Sequence, residues 1–432
     1  MEVPGRQVVL ACVEDQSKTC NRLDKNTAQI VPEQEIMGEG VTAGEAFTNC
    51  FDEMKIGILT QPLHSNYGGL LQAFALQQVL IGLGHNVATV NFCKKEYYKG
   101  NNSIYKRAKR VYNQIINTVF RKRYHYAYSA ETDRFLEQNI TPFINKHIKL
   151  TSPVSSPKEL KRLYKASDFD AFIVGSDQVW RPRYSPRIEH FFLDFCRYGS
   201  EKKIAYAASF GVDEWEFSAR QTHRCAALAS GFDKISVREI SAVELCRKNL
   251  GIDAKVVLDP TFLLDRSVYE NIVNQSQERK KDGDLFVYFL DRNGKYQQIV
   301  DLVSESLGLR PFTTMPRMRT GEITKKDELS ECIYPSVESW LRSFMDAKFV
   351  VTDSFHGCVF SIIFNKPFLT IGNEQRGQSR FVSLLSQLDL AERLCPDAGS
   401  AVSACQKSIY WPVINEKLNR LRTESINFLK EI

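Results

Sequence analysis

From Met54 onward, short apolar runs alternate with longer stretches whose apolar residues recur at helical spacing. This alternation is typical of a parallel α/β sheet, in which helices connect successive strands. The runs form two series. The first predicts strands at Lys55–Thr60, Asn86–Phe92, Asp170–Ser176, Lys202–Ala208 and Ala254–Asp259, and the second predicts strands at Asp284–Leu290, Phe349–Thr352 and Pro367–Ile371. Helical periodicity predicts helices at Gly69–Gly84, near Gln297–Leu307 and at Val337–Met345.

The two series predict two Rossmann-like, doubly wound domains that face a cleft, an α/β architecture of the GT-B type. Leu258–Asp265 separates the series, so we place the N-terminal domain at 54–262 and the C-terminal domain at 263–395. In 396–432 the apolar spacing predicts a helix that closes back across the domains. Residues 1–53 are polar and weakly patterned, and we interpret them as a disordered extension or the product of a start codon placed too early.

Composition narrows the class of protein. The hydrophobic share of 43% and the charged share of 25% are those of a globular protein, and no apolar run reaches the length of a membrane span. Eleven cysteines without a CxxC pair favour reduced thiols, and therefore a cytoplasmic protein. No carboxylates stand at metal-ligand spacing, so we expect no metal.

Basic charge is concentrated between Tyr97 and Ala130, where eight lysines and arginines occur without an acidic residue. The apolar residues of this segment fall at near-helical spacing. One interpretation is an amphipathic helix packed on the first domain with a solvated basic face. The other is a helix that rests on an anionic membrane surface, with the protein at the inner face of the cytoplasmic membrane. We expect no nucleic-acid partner.

Two stretches in the first domain could carry chemistry. Thr60–Gln78 follows the first strand, and its adjacent glycines would let a ligand approach the N-terminus of a helix, where anions are favoured. The alternative there is a tight turn capped by Asn66. In Val174–Pro182 a strand ends in Gly-Ser-Asp, so Asp177 could bind sugar hydroxyls or act as a base; the alternative is a helix cap.

Four further residues could bind an anion. Arg238 follows a short strand and precedes a helix, where its planar fork suits a phosphate or carboxylate; a surface salt bridge to Glu239 or Glu244 is the alternative. His356 stands where a strand meets a helix in Val351–Phe368. Arg376 and Arg380 follow the next strand, so we expect them on the same rim as His356. This set suits a small dianion and a general acid.

These stretches resemble the polysaccharide pyruvyl transferase family over nearly the whole chain after Met54. The motifs that carry the resemblance are KIGILTQPLHSNYGGLLQAFALQ, FDAFIVGSDQVW, KKIAYAASFG, ISVREISAVELC, LDPTFLL, VTDSFHG and the SRFVSLL segment beyond Arg376. The resemblance implies transfer of the enolpyruvyl unit of phosphoenolpyruvate to a sugar, with closure of a pyruvate ketal. The pathway implied is synthesis of a capsule, exopolysaccharide or cell-wall glycan, and the acceptor is expected to be lipid-linked.

The resemblance also implies roles for residues. Arg238, His356 and Arg376 match the family's donor-site positions, with phosphoenolpyruvate as a co-substrate and no other cofactor. Ser354 stands where the family's turn carries an arginine, so Arg380 or a lysine is expected to supply that charge. His356 is the expected proton donor to the methylene carbon. We assign the acceptor sugar to the loop and helix start that contain His64, Asn66, Tyr67, Gly68, Gly69 and Gln72.

Two other classes of protein are compatible with these residues. A nucleotide-sugar glycosyltransferase would share the GT-B fold, because a fold does not determine a function. A non-catalytic, carbohydrate-binding relative would keep the fold and release no phosphate from any donor.

Overall fold

The structure is a computed structural model, and it describes residues 52–93, 130–185, 187–196, 199–291, 294–323, 325, 327–372 and 377–432. The basic segment up to residue 129 and residues 1–51, on which two interpretations above depend, lie outside this range. Arg376 also lies outside it.

Strands and helices alternate along the described chain. The strands are β1 (Lys55–Leu59), β2 (Asn86–Thr89), β3 (Ala171–Val174), β4 (Lys202–Ala208), β5 (Lys234–Val237), β6 (Lys255–Val256), β7 (Leu285–Tyr288), β8 (Pro311–Phe312), β9 (Phe349–Thr352), β10 (Phe368–Ile371) and β11 (Leu394–Cys395). The α-helices are α1 (Tyr67–Gly82), α2 (Ala130–Leu136), α3 (Thr141–His147), α4 (Pro157–Ala166), α5 (Ala219–Ala229), α6 (Ile240–Leu245), α7 (Arg266–Asn274), α8 (Gly294–Leu307), α9 (Val337–Asp346), α10 (Phe355–Ile363), α11 (Ser379–Gln387), α12 (Ala398–Cys405) and α13 (Trp411–Lys430).

These strands form two separate sheets. Within the described residues, the first sheet has the order β2-β1-β3-β4-β5-β6 and the second has the order β11-β10-β9-β7-β8. Every pairing in both sheets is parallel. Parallel sheets of this kind are covered on both faces, which is why their strands read as nearly continuous apolar runs. The predicted pair of doubly wound α/β domains is confirmed.

The order of strands determines where a ligand can bind. In the first sheet the strand order reverses between the neighbours β1 and β3, because β2 lies on one side of β1 and the later strands lie on the other. In the second sheet the strand order reverses between β7 and β9 for the same reason. Loops diverge at such points and leave a crevice beyond the carboxyl ends of the strands. The loops after β1, β3 and β9 contain Asn66, Asp177 and Ser354, respectively.

The C-terminal helix α13 packs on the first domain. Its buried positions are Ile414, Leu418, Ser425, Phe428 and Leu429. Ser425 Oγ accepts a hydrogen bond from Leu258 N at 3.0 Å, and the ring of Phe428 lies 6.0 Å from that of Tyr206. The chain thus returns from the second domain to the first. None of the described helices has the length and apolar character needed to cross a bilayer.

Two differences from the sequence prediction concern short strands. The strand predicted at Ala254–Asp259 pairs only over Lys255–Val256, because Pro260 lacks an amide hydrogen and begins a 3₁₀ turn that Asp259 caps. The short edge strands β8 and β11 were not predicted, since two-residue strands have no periodicity to detect.

Candidate functional site

Charged residues from both domains converge at the carboxyl ends of the two sheets. Asp259 follows β6 and lies at their centre, with its side chain fully buried. Arg238 Nη1 donates a hydrogen bond to Asp259 Oδ2 at 2.6 Å, and His356 Nε2 lies 3.6 Å from the same oxygen. Because His356 belongs to the second domain, this carboxylate connects the two domains through a pair of basic side chains.

Asp259 is held as a carboxylate. Burial raises its pKa, but the neighbouring His356 and Arg238 and the hydrogen bond from Thr261 outweigh that effect and keep the pKa well below its usual range. Thr261 donates to Asp259 Oδ1 through both its backbone N, at 3.1 Å, and its Oγ1, at 2.7 Å. Asp259 therefore supplies a fixed negative charge next to the imidazole at neutral pH.

The ring of His356 lies directly against the first turn of α1. A Cβ placed on Gly68 would be 2.0 Å from His356 Nδ1 and 2.1 Å from its Cγ, so only glycine permits this approach. The imidazole is 6% exposed. Glycine at position 68 thus serves to seat the histidine of the opposite domain.

Asp177 lies on the other side of Arg238. Its Oδ1 is 3.6 Å from Arg238 Nη2, and its Oδ2 accepts a hydrogen bond from Asn66 Nδ2 at 3.4 Å. Asp177 adopts a left-handed backbone with φ of 65°, a conformation that aspartate tolerates better than most residues. Asn66 also caps α1, since its Oδ1 accepts from Gly69 N at 3.2 Å.

A second arginine stands beside Arg238. Arg380, at the start of α11, and Arg238 both place their guanidinium groups over the ring of Phe355, with centroid distances of 5.4 Å and 4.6 Å. Burial and the positive charge of Arg238 lower the pKa of Arg380 to about 10, against the opposite effect of Asp177 and Glu239. For Arg238, burial is outweighed by the carboxylates, chiefly Asp259, and its pKa is raised.

Some donors and acceptors in this cluster are not used. Among the described residues, Arg238 Nε and Nη2, His356 Nε2 and Glu239 Oε2 have no hydrogen-bond partner although they are buried. The other oxygen of Glu239 accepts from Ser209 Oγ and from Gly211 N. Buried polar atoms without partners are rare in native proteins, and they indicate a place where a ligand can bind.

The structure brings together His356, Asp177, Arg238 and Arg380, with Ser354 beside them as the cap of α10. Arg238 is 4% exposed and so does not face open solvent, nor does it form the surface salt bridge considered above. Asn66, Gly68 and Gly69 lie at the adjoining start of α1, and half-buried His64 lies in the loop before it.

Tyr67 and Gln72 lie apart from this cluster. Tyr67 is 1% exposed, donates from its hydroxyl to Pro335 O at 2.8 Å and stacks on Trp340. Gln72 is fully buried. Its side-chain oxygen accepts a hydrogen bond from Ser176 N, and its side-chain nitrogen donates to Thr60 Oγ1 and Gly69 O. Neither side chain is presented to a ligand; Gln72 instead braces the loop that carries Asp177.

Sequence reasoning missed Asp259, Glu239 and Phe355 as site residues. Asp259 lay in a stretch interpreted as a domain boundary, although an aspartate before Pro-Thr at the end of a strand was a usable signal. Glu239 was considered only as a surface partner of Arg238, yet it is 1% exposed. Phe355 carries no signal, because its two cation contacts come from different segments. Among the described residues, no group of three or more His, Cys, Asp or Glu could hold a metal ion.

The fold and this cluster define a two-domain α/β protein with a charged, inter-domain site at the ends of its parallel strands. A sequence model of the polysaccharide pyruvyl transferase family matches residues 66–375, more than two thirds of the chain. The chain therefore belongs to the polysaccharide pyruvyl transferase family, a family of transferases. The matched region contains Asp177, Arg238, Asp259 and His356.

Solved structures similar to the chain include a UDP-GlcNAc 2-epimerase from Neisseria meningitidis, with 10% identity, a TM-score of 0.47 and coverage of 88% of this chain and all of that one. A UDP-glucosyltransferase from Polygonum tinctorium has 12% identity, a TM-score of 0.45 and coverage of 89% and 98%. No curated protein matches the chain.

Proposed function

We propose that this protein transfers the enolpyruvyl unit of phosphoenolpyruvate to a sugar of a polysaccharide precursor and closes a pyruvate ketal. The observation that carries the proposal is the buried pair Arg238 and Arg380 beside His356, with two donor nitrogens of Arg238 unused among the described residues. Phosphoenolpyruvate carries a phosphate and a carboxylate, and guanidinium groups bind both with strong, charge-assisted hydrogen bonds.

Arg380 supports the donor assignment in a particular way. Ser354 stands where the resemblance places an arginine, and in this structure Ser354 caps α10 by accepting from Gly357 N at 3.4 Å. We infer that Arg380 provides the missing positive charge, since it is buried beside Arg238. The N-termini of α1 and α10 meet at the same place, as the contact between Gly68 and His356 shows, and both helix dipoles favour an anion there.

The reaction we propose begins with proton transfer from the imidazolium of His356 to the methylene carbon of phosphoenolpyruvate. This leaves C2 as an oxocarbenium centre, and a sugar hydroxyl attacks it and loses its proton to a base. The bond from C2 to the phosphate oxygen then breaks, phosphate leaves, and a second hydroxyl attacks C2. Of the two protons that the hydroxyls release, one replaces the proton that His356 donated and the other protonates the departing phosphate. The products are a ketal and phosphate, and no redox step occurs.

The position of each residue supports the role that we propose for it. Asp259 stabilises the imidazolium of His356 through its fixed negative charge and orients the ring. Asp177 is the proposed base or hydroxyl ligand, since its carboxylate lies between Asn66 and Arg238. We assign the acceptor to the side of the site formed by His64, Asn66 and the glycines at the start of α1.

One comparison of donors tests the proposal against a nucleotide-sugar transferase and a non-catalytic relative. Isothermal titration should show binding of phosphoenolpyruvate and none of UDP-glucose. Phosphate release from phosphoenolpyruvate should follow when a panel of p-nitrophenyl glycosides is offered as acceptors. Binding of UDP-glucose without phosphoenolpyruvate would indicate a glycosyltransferase, and failure to bind either donor would favour the non-catalytic relative.

We also propose that the protein works at the inner face of the cytoplasmic membrane on a lipid-linked acceptor. Support comes from the sequence of the basic segment and from α4, whose residues Lys158, Lys161, Arg162 and Lys165 share one helical face. Basic residues near an anionic surface contribute about 1 kcal/mol each, enough for reversible attachment when several act together.

A further inference from the structure

One aromatic ring serves both arginines of the proposed donor site. Phe355 is 4% exposed, and its ring lies below the guanidinium of Arg238 at 4.6 Å and that of Arg380 at 5.4 Å. Both distances fall within the range at which the electron-rich face of an aromatic ring attracts a cation. The two arginines come from different elements, Arg238 from the end of β5 and Arg380 from the start of α11.

The two guanidinium groups would repel each other without such a partner. The charge of Arg238 lowers the pKa of Arg380, which shows that the two positive charges interact. Asp259 and Asp177 form ion pairs with Arg238, and Asp177 and Glu239 also act on Arg380, whose pKa they raise against the effect of Arg238. The face of the Phe355 ring offsets part of the repulsion between the two guanidinium groups, and this contact does not use their N–H donors as hydrogen bonds.

From these contacts we propose that Phe355 is a positioning residue for donor binding, resting on the function proposed above. Its rigid ring sets the separation of two guanidinium groups from different domains, so that one donor with two anionic groups can engage both. The donor class selected is a small molecule that carries two anionic groups, such as a phosphorylated carboxylic acid. A ligand with one anionic group gains less from this spacing.

A second buried aromatic ring lies beside Phe355. Phe355 is the first residue of α10, and Phe381 packs against it edge to face at a centroid distance of 6.0 Å. Phe381 is 1% exposed, and no described cation lies over its ring. Phe381→Leu therefore removes a buried aromatic ring from the same cluster without removing a described cation contact, and it is the matched control.

The test measures the Kd of phosphoenolpyruvate and of inorganic phosphate by isothermal titration. Phe355→Leu should raise the Kd of phosphoenolpyruvate by about tenfold or more, whereas Phe355→Tyr, which keeps the ring, should change it by less than about threefold. The Kd of inorganic phosphate should rise less than that of phosphoenolpyruvate in Phe355→Leu. Phe381→Leu should leave both constants near wild type.

A second series separates the electronic effect of the ring from packing. Replacing Phe355 by 4-fluoro-, 3,5-difluoro- and 3,4,5-trifluorophenylalanine keeps its shape and withdraws electron density from its face. The Kd and KM of phosphoenolpyruvate should rise stepwise with fluorine number, while kcat at saturating donor stays near wild type. A flat series would overturn the role of Phe355. Unchanged affinity in both Arg238→Lys and Arg380→Met would instead refute the donor site.

Discussion

Arg238→Leu should weaken the fold as well as donor binding, because the structure buries Arg238 in an ion pair. Its side chain is 3% exposed, and its Nη1 lies 2.6 Å from an oxygen of Asp259, whose side chain is not exposed at all. Removing the guanidinium leaves a buried carboxylate without the partner in its shortest ion pair. Breaking such a pair from one side costs about 3–5 kcal/mol.

The expected shift in melting temperature follows from the size of the chain. Unfolding entropy is about 2.1 cal/mol/K per residue, which for 432 residues gives about 0.9 kcal/mol/K if the chain unfolds in one transition. The Tm of Arg238→Leu should therefore fall by about 3–6 °C. The double variant Arg238→Leu, Asp259→Asn should recover part of this loss, since it removes both charges together.

The loss should also depend on pH. In the wild type the pKa of Asp259 is lower in the folded state than in the unfolded state, so its charge stabilises the fold above the unfolded pKa and this contribution is lost as pH falls. Without Arg238, the folded pKa of Asp259 rises relative to the wild type, while His356 and Thr261 continue to lower it. The difference in stability between wild type and Arg238→Leu should therefore narrow as pH falls through the higher folded pKa of the variant.

Urea denaturation at several pH values measures these differences. Arg247 is the control, since it is 63% exposed and its ion pairs with Glu244 and Asp253 are 3.8 Å and 3.4 Å long. Arg247→Leu should cost no more than about 1 kcal/mol at any pH. Equal losses in the two variants, or a loss in Arg238→Leu that grows as pH falls, would refute the buried pair.

Three further predictions concern the site and the basic segment. Gly68→Ala should lower kcat by about 10²-fold, because the new methyl group displaces His356. Gly82→Ala, at the open end of the same helix, should leave kcat unchanged, and equal kcat values in the two variants would contradict this role of Gly68. His356→Gln should lower kcat by about 10²–10⁴-fold with an unchanged circular dichroism spectrum, and near-normal turnover would remove its role as acid. Wild-type protein should co-sediment with anionic and not with neutral liposomes. Changing Lys106, Arg107, Lys109 and Arg110 to Gln should abolish this co-sedimentation, and equal sedimentation of the two proteins would contradict a membrane-binding role of the basic segment.

The fold could be predicted to a large extent from the sequence. Buried parallel strands need continuous apolar runs, and amphipathic helices need apolar residues three and four apart, so both leave local patterns. For this reason β4 and β9 begin and end where predicted, and α9 differs by one residue at its end. Arg238 and His356 were also identified from sequence, because each stands within four residues of the end of a strand, and Arg380 because it follows the next strand along the chain.

Other features were decided by tertiary contacts alone. Three features depend on segments that are far apart in the chain. Arg238 is buried, Asp259 connects it to His356, and Phe355 lies under two arginines. Local periodicity carries no information about which strand ends meet across two sheets. The sequence by itself determined the two sheets and most of the charged residues at their ends. Only tertiary packing, both within the first domain and between the two domains, decided that a carboxylate and an aromatic ring lie against those charges.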